Sequence, residues 1–308
     1  MHRNNIVLCV ALCALSFVFS ILSPYFLSFQ NFSNILLASS LLGILGLGAS
    51  LVLASAGLDL SIGSVMALSG VASIVIARLF GFDWYLTILI CLFFGGLIGF
   101  CNGFVITQFR IPAFIVTLGM LGIARGLALI ISDGRPIYGL DPLIIFMGQG
   151  NIWGISVPVI IMCLSALIVY FILRHTRFGR YILCMGDNEQ ALRKAGVSIK
   201  AQKIKIYVLS GVLTALAGLL FMGRVNSADP AIGLGYELNA ITVALIGGTS
   251  LFGGKASVIG VLMGALLIGV LQNGLNLLAV PSYYQQVAIG LILILSVSLN
   301  ALWRKEHL

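Results

Sequence analysis

Apolar runs of about twenty residues recur along the whole chain, and this pattern limits the fold more than any motif does. Each run matches the roughly 20 residues an α-helix needs to cross the hydrocarbon core of a bilayer. The runs are 5–23, 34–56, 61–79, 84–107, 112–132, 155–173, 205–226, 238–252, 256–279 and 284–302, the eighth shorter than the rest. The 308 residues are 60% hydrophobic and only 8% charged, whereas soluble domains carry about 25% charged residues. A soluble fold of this length has too little interior for so much apolar surface; lipid solvates it instead. The expectation is an all-α, polytopic transmembrane helical bundle of about ten spans, forming a single domain over residues 1–308.

The 36 glycines suit such a bundle, because Gly lets helix backbones approach closely. The six cysteines (Cys9, Cys13, Cys91, Cys101, Cys163 and Cys184) show neither CxxC nor metal-ligand spacing. Most lie in apolar runs, where Cys behaves as a small hydrophobe, so no cofactor or metal is expected. The first run follows Arg3 as in a signal peptide, yet no A-x-A-like site follows and Pro24-Tyr25-Phe26 leads straight on. It reads as a retained first helix.

Lys and Arg set the direction. Alternating the runs from a cytoplasmic N-terminus puts Arg3, Arg110, the stretch Arg174 to Lys205, Lys255, Arg304 and Lys305 on one side. That side holds 13 of the 17 basic residues, and the positive-inside rule makes it the cytoplasm, with both termini there. The net charge of +8 therefore orients the chain in a membrane and gives no reason to expect nucleic acid. Trp84, Trp153 and Trp303 all fall at run ends, as an aromatic belt requires.

Two connections are long. Residues 133–154, on the outer side, are rich in Gly and Pro and form a shaped loop that has room for a short interfacial helix. The cytoplasmic connection, about 174–205, carries eight basic residues: Arg174, Arg177, Arg180, Arg193, Lys194, Lys200, Lys203 and Lys205. Within it, residues 187–196 have a helix's end signals. Asp187 or Asn188 caps the start, Glu189 lies in the first turn, Arg193 and Lys194 in the last, and Gly196 stops it. Two readings stand level on the residues alone. The segment is a lever for a cytoplasmic partner, or a solvated anchor touching only lipid headgroups.

Two Gly-rich stretches interrupt the runs at equivalent places, each joining an inward-going run to an outward-going one: Gly57-Leu58-Asp59-Leu60-Ser61-Ile62-Gly63-Ser64 and Gly247-Gly248-Thr249-Ser250-Leu251-Phe252-Gly253-Gly254-Lys255. They form a weak echo of a parallel internal repeat. The second fails as a phosphate-binding loop G-x-x-x-x-G-K-[ST], since Thr249 stands at the first Gly position and Ala256 follows Lys255. The chain is not expected to bind ATP by itself.

With Arg177-Phe178-Gly179-Arg180, Gly186 to Gly196, Gly235-Tyr236-Glu237-Leu238 and Gln272-Asn273-Gly274-Leu275-Asn276-Leu277-Leu278, these stretches resemble the permease subunits of bacterial sugar-import ABC transporters. That group contains the ribose, arabinose, xylose and galactose permeases, and the ribose type looks closest. Two residues depart from the pattern: Asp187 stands where Gly is usual, and Lys194 where a small or apolar residue is commoner.

The resemblance implies a multi-pass subunit of the bacterial inner membrane that forms the path for a monosaccharide. It also implies a periplasmic sugar-binding protein, a cytoplasmic ATP-binding subunit and a second permease chain, either identical or related. Gly186, Asp187, Asn188, Glu189, Ala191, Arg193, Lys194 and Gly196 would then form the helix coupled to the ATPase. Gly57, Asp59, Ser61, Gly63, Gly247, Gly248, Gly253 and Gly254 would shape turns.

Polar side chains inside apolar runs are candidates for the path, because lipid does not solvate them. These are Asn102, Gln272, Asn273 and Asn276, whose amides exchange hydrogen bonds with sugar hydroxyls at no charge cost; helix–helix hydrogen bonding is the competing use. Arg125 reads as a paired or snorkelling cation, and Asp59 and Glu237 as turn residues near water. An ion-coupled carrier would hold acidic groups near mid-membrane, and all nine acidic residues lie near run ends. A passive channel gives the capped helix no task, and no run carries a catalytic cluster of the kind a membrane enzyme needs.

Overall fold

The computed structural model describes residues 2–305, with side chains from 6 to 298. Twelve helices lie among the described residues: α1 (His2–Leu22), α2 (Phe29–Ala54), α3 (Ile62–Phe80), α4 (Trp84–Phe109), α5 (Ala113–Ile131), α6 (Pro142–Gln149), α7 (Val157–His175), α8 (Arg177–Lys194), α9 (Ile199–Val225), α10 (Tyr236–Ile246), α11 (Val258–Leu277) and α12 (Ser282–Lys305). Nine of the ten apolar runs coincide with a helix and the eighth does so only in part, while α6 and α8 occupy the two long connections. Two short antiparallel pairs complete the chain: β1 (Ile137–Tyr138) with β4 (Ser227–Ala228), and β2 (Asn151–Ile152) with β3 (Ile155–Ser156). The side chains of Arg3, Trp303, Arg304 and Lys305, used above for orientation, lie outside the described residues.

Among the described residues, seven helices are long and apolar enough to cross a membrane: α2, α3, α4, α5, α7, α9 and α11. α1 and α12 are apolar over Ile6–Leu22 and Ser282–Ser298. The eighth run is corrected by the structure. α10 has 11 residues, so it is about 16 Å long, half of a hydrocarbon core of about 30 Å. The remainder of 238–252 is the glycine turn that follows it.

Burial sorts the helices into a centre and a periphery. Of the most apolar window in each helix, 83% is buried in α2 and 72% in α3 and in α9, against 17% in α5. α2, α3 and α9 form the core, and α5 turns its apolar residues outward. The broadest face is that between α4 and α9, where Gly95, Gly99 and Gly103 recur every fourth residue along one side of α4. A Cβ on Gly99 would lie 2.7 Å from the Tyr207 carbonyl carbon, and one on Gly103 2.7 Å from Ile204 Cα. The stripe of missing side chains is what lets these two backbones touch, the small-residue packing of membrane helices.

Hydroxyl caps start several helices: Ser28 accepts from Asn31 N (3.2 Å), Thr176 from Gly179 N (3.1 Å) and Ser257 from Gly260 N (3.1 Å). Two ends of the bundle follow from these contacts. One carries α8, the C-terminus of α2 and the turn between α10 and α11, the other α6 and the C-termini of α9 and α11.

Candidate functional site

The first glycine stretch folds back into the bundle. Leu58 O accepts from Tyr207 Oη of α9 (3.1 Å) and from Thr117 Oγ1 of α5 (3.3 Å). Asp59 Oδ1 accepts from Ser61 N (2.9 Å) and Ser61 Oγ (2.6 Å), and Asn102 Nδ2 donates to Ser61 Oγ (3.0 Å). Gly63 meets the backbone of Gly233 and the carboxylate of Glu237. The expectation that Asp59 sits in water at a span end is overturned: it is only 6% exposed. Its partner is Ser61, the residue that precedes α3, and α4, α5 and α9 close over the turn. Asn102, fully buried, ties α4 to this turn.

At the α6 end, three of the candidate path residues do converge. Gln272, Asn273 and Asn276 of α11 line one cavity of about 420 Å³ together with Asn34 of α2, Arg224 of α9 and Tyr236, the first residue of α10. Asn102 is not among its lining residues. Asn273 Nδ2 donates to Asn31 Oδ1 (2.8 Å), and its own Oδ1 is buried without a partner. Asn276 Oδ1 accepts from Gln285 Nε2 (2.7 Å). Gln149 of α6 donates to Arg224 O (2.9 Å), so α6 is tied to the rim of the cavity. The lining offers amides, a guanidinium and a phenol, and no carboxylate among the described residues.

Sequence reasoning missed Arg224, Tyr236 and Asn34 here. The signals were a cation within an apolar run at Arg224, a polar residue opening a run at Asn34, and Tyr236 within the Gly235–Leu238 stretch. Arg125 reads from sequence as paired or snorkelling; in the structure its guanidinium donates to the backbone carbonyls Pro230 O and Ile232 O (2.8 Å), holding the segment that leads into α10.

At the opposite end, α8 is longer than the 187–196 read from its caps. It begins at Arg177 and bends at Asn188, whose φ of −151° and ψ of 91° leave the helical region. Asn188 Oδ1 then accepts from Ala191 N (2.9 Å) and caps the second arm, which ends at Gly196 with φ of 80°. Glu189 clamps that arm to α9, pairing with Arg193 (2.8 Å) and with Lys203 (2.7 Å). Gly186, in the first arm, packs against Ala54 O and Gly253, and Gly254 N donates to Ala54 O (2.9 Å). A second cavity, of about 590 Å³, opens between α8, α9 and the α4–α5 turn, with Glu189, Arg193, Lys203, Arg110 and Tyr207 on its walls.

A bundle of apolar helices with a polar cavity at one end and a basic, capped helix at the other defines a multi-pass membrane transport protein. Residues 31–297 match the family described as branched-chain amino acid transport system / permease component. The chain is 40% identical over 294 residues to the ribose import permease protein RbsC of Haemophilus influenzae, covering 94% of this chain and 90% of that one. It is 40% identical over 295 residues to RbsC of Bacillus subtilis, covering 94% and 91%. Against the D-allose transport system permease protein AlsC of Escherichia coli it is 38% identical over 290 residues, covering 94% and 89%. The chain belongs to this permease family. It is a transport subunit of the inner membrane and not an enzyme; ATP hydrolysis belongs to a partner subunit, and a periplasmic binding protein is the other partner of such importers.

Proposed function

We propose that this chain forms the translocation path for a ribose-like monosaccharide in an ABC importer. One observation carries the substrate reading: the α6-end cavity presents Asn34, Gln272, Asn273 and Asn276 beside Arg224 and Tyr236, with no carboxylate among the described residues. Sugar hydroxyls both donate and accept, and side-chain amides answer both. An amino acid would bring an ammonium group, for which this lining holds no anion. The names of the relatives, which import ribose and D-allose, favour the same class over the amino acids in the family's description.

On this reading the chain crosses the membrane with both termini and α8 in the cytoplasm, the eighth crossing being made by the segment before α10 together with that half-helix, since the basic stretch from Arg174 to Lys205 lies at the α8 end. α8 is the coupling helix, with Gly186 to Gly196 as its contact with the ATP-binding subunit. The α6-end cavity receives the sugar from the binding protein, and a second permease chain encloses the rest of the path. Asn102 acts as the tie between α4 and the Asp59 turn.

The test is uptake into proteoliposomes that hold this chain, its ATP-binding subunit and its binding protein. ATP-dependent entry of labelled ribose or a related monosaccharide, with no entry of leucine, is the expected result. Entry of leucine and no sugar would overturn the reading.

A further inference from the structure

The turn Gly247 to Lys255 was singled out by its glycines and has no role in the function just proposed. Its structure is more ordered than a connecting loop requires. Thr249 N donates to Ala244 O (3.0 Å), Ser250 N to Lys255 O (3.1 Å) and Gly253 N to Ser250 O (3.2 Å), so the turn is closed on itself. Gly248, Gly253 and Gly254 have φ of 86°, 88° and 79°, a backbone that L side chains rarely adopt. On this rigid frame Phe252 is 42% exposed, and Lys255 beside it is exposed.

The turn is also locked to α8. A Cβ on Gly186 would lie 2.7 Å from Gly253 Cα, and one on Gly254 would lie 3.4 Å from Asp187 Cβ. A body seated on Asp187 and its exposed neighbours Asn188, Gln190 and Lys194 therefore lies against the turn that carries the exposed Phe252. Together the two elements make one surface, with an aromatic side chain flanked by charges, the composition of an interface core and rim.

We propose that this turn is a second docking element for the ATP-binding subunit, anchored by Phe252, and that α10 carries its movement to the outer cavity. This rests on the reading of α8 as the coupling helix. α10 links the two places directly. It is a rod of 11 residues that starts at Tyr236, a wall of the cavity, and ends where the turn begins. Near its start, Gly235 N donates to Glu237 Oε1 (3.2 Å), and Arg125 holds the Pro230 and Ile232 carbonyls of the segment before it. A displacement at Phe252 is passed along a stiff helix to Tyr236, a branch that leaves the shared joint of α8, Ala54 and the turn toward the cavity.

The experiment is photocrosslinking in the assembled transporter, with benzoylphenylalanine placed at Phe252 and, separately, at Gln190 of α8. Adducts between the ATP-binding subunit and both positions are expected, with the yield at 252 changing when nucleotide is trapped. In parallel, Phe252→Ala lowers affinity for the ATP-binding subunit about tenfold, while Phe252→Leu restores most of it. An adduct at 190 with only lipid adducts at 252 overturns this proposal and leaves the coupling reading of α8 standing. Absence of adducts at both positions overturns the two together.

Discussion

Gly186 of α8 and Gly253 of the α10–α11 turn meet backbone to backbone: a Cβ on Gly253 would stand 2.5 Å from Gly186 Cα. Sixty-odd residues of chain separate them, yet no side chain intervenes at their contact. Two glycine-bearing stretches of the sequence are thus halves of one joint. The joint also includes Ala54 at the end of α2, whose carbonyl accepts from Gly254 N at 2.9 Å. α8, α2 and α10 cannot move separately at this point.

Adding a methyl group there tests the joint. Gly186→Ala places Cβ against Ala54 O and Gly253, all backbone, so the elements themselves must shift. Overpacking of this kind costs about 1–3 kcal/mol, and the purified protein should unfold at a lower temperature. ATP hydrolysis in the assembled transporter should continue with less sugar moved per ATP. Gly119→Ala is the control, since nothing lies within 4 Å of its added Cβ, and it should match the wild type in both measurements.

Substitutions in the outer cavity should separate binding from folding. Gln272 and Asn276 stand four residues apart on α11 and line the cavity with Arg224. Gln272→Leu and Asn276→Leu each remove hydrogen-bonding groups from the lining, and a lost hydrogen bond costs about 0.5–1.5 kcal/mol. Uptake at low sugar concentration should fall up to about tenfold, with membrane insertion unchanged; Gln272→Leu should keep its thermal stability, while Asn276→Leu also loses the Gln285 bond and should unfold slightly earlier. An unaltered concentration dependence in both variants would remove the cavity from the path.

The spans were legible because bilayer thickness sets their length, so apolar runs alone mark them. The same signal misread 238–252, since hydropathy does not separate a half-helix from a full one when the glycine turn after it is also apolar. Asp59 was misplaced for a different reason. It lies near the end of a run, but its cover comes from Asn102, through Ser61 41 positions away, and from Tyr207, 149 positions from its bond partner Leu58. Pairings at that range leave no local pattern. The cavity was half visible: Gln272, Asn273 and Asn276 are polar in one run, while Asn34, Arg224 and Tyr236 come from three other helices.

Topology has a direct check. In a chain freed of its native cysteines, Gln190→Cys on α8 should react with a membrane-impermeant thiol reagent only from the cytoplasm. Trp153→Cys should react only from outside, because Trp153 is 100% exposed at the β2–β3 tip. Leu140, in the same outer segment, is 6% exposed and makes a poor reporter. Reversed labelling at both positions would place α8 on the binding-protein side and end its role as coupling helix.

Acid should loosen α8 from α9 in a defined direction. Partial burial pushes the Glu189 carboxyl up, but hydrogen bonds and charge from Lys203, and then from Arg193, outweigh it and hold the group below its ordinary value of 4.5. A carboxylate depressed in the folded state contributes its full stabilisation above the unfolded value and loses it as pH falls through the folded one. The clamp should therefore be constant from about pH 8 to about pH 5 and weaken only below the ordinary carboxylate range. A fluorophore attached at Ala195, an exposed position after the second arm, should keep its anisotropy over the upper range and lose it in acid. Glu189→Gln should start from lower anisotropy, since two cations lose their counter-charge, and show no further acid step. A step centred near pH 6.5 would belong to a different group and sink the assignment to Glu189.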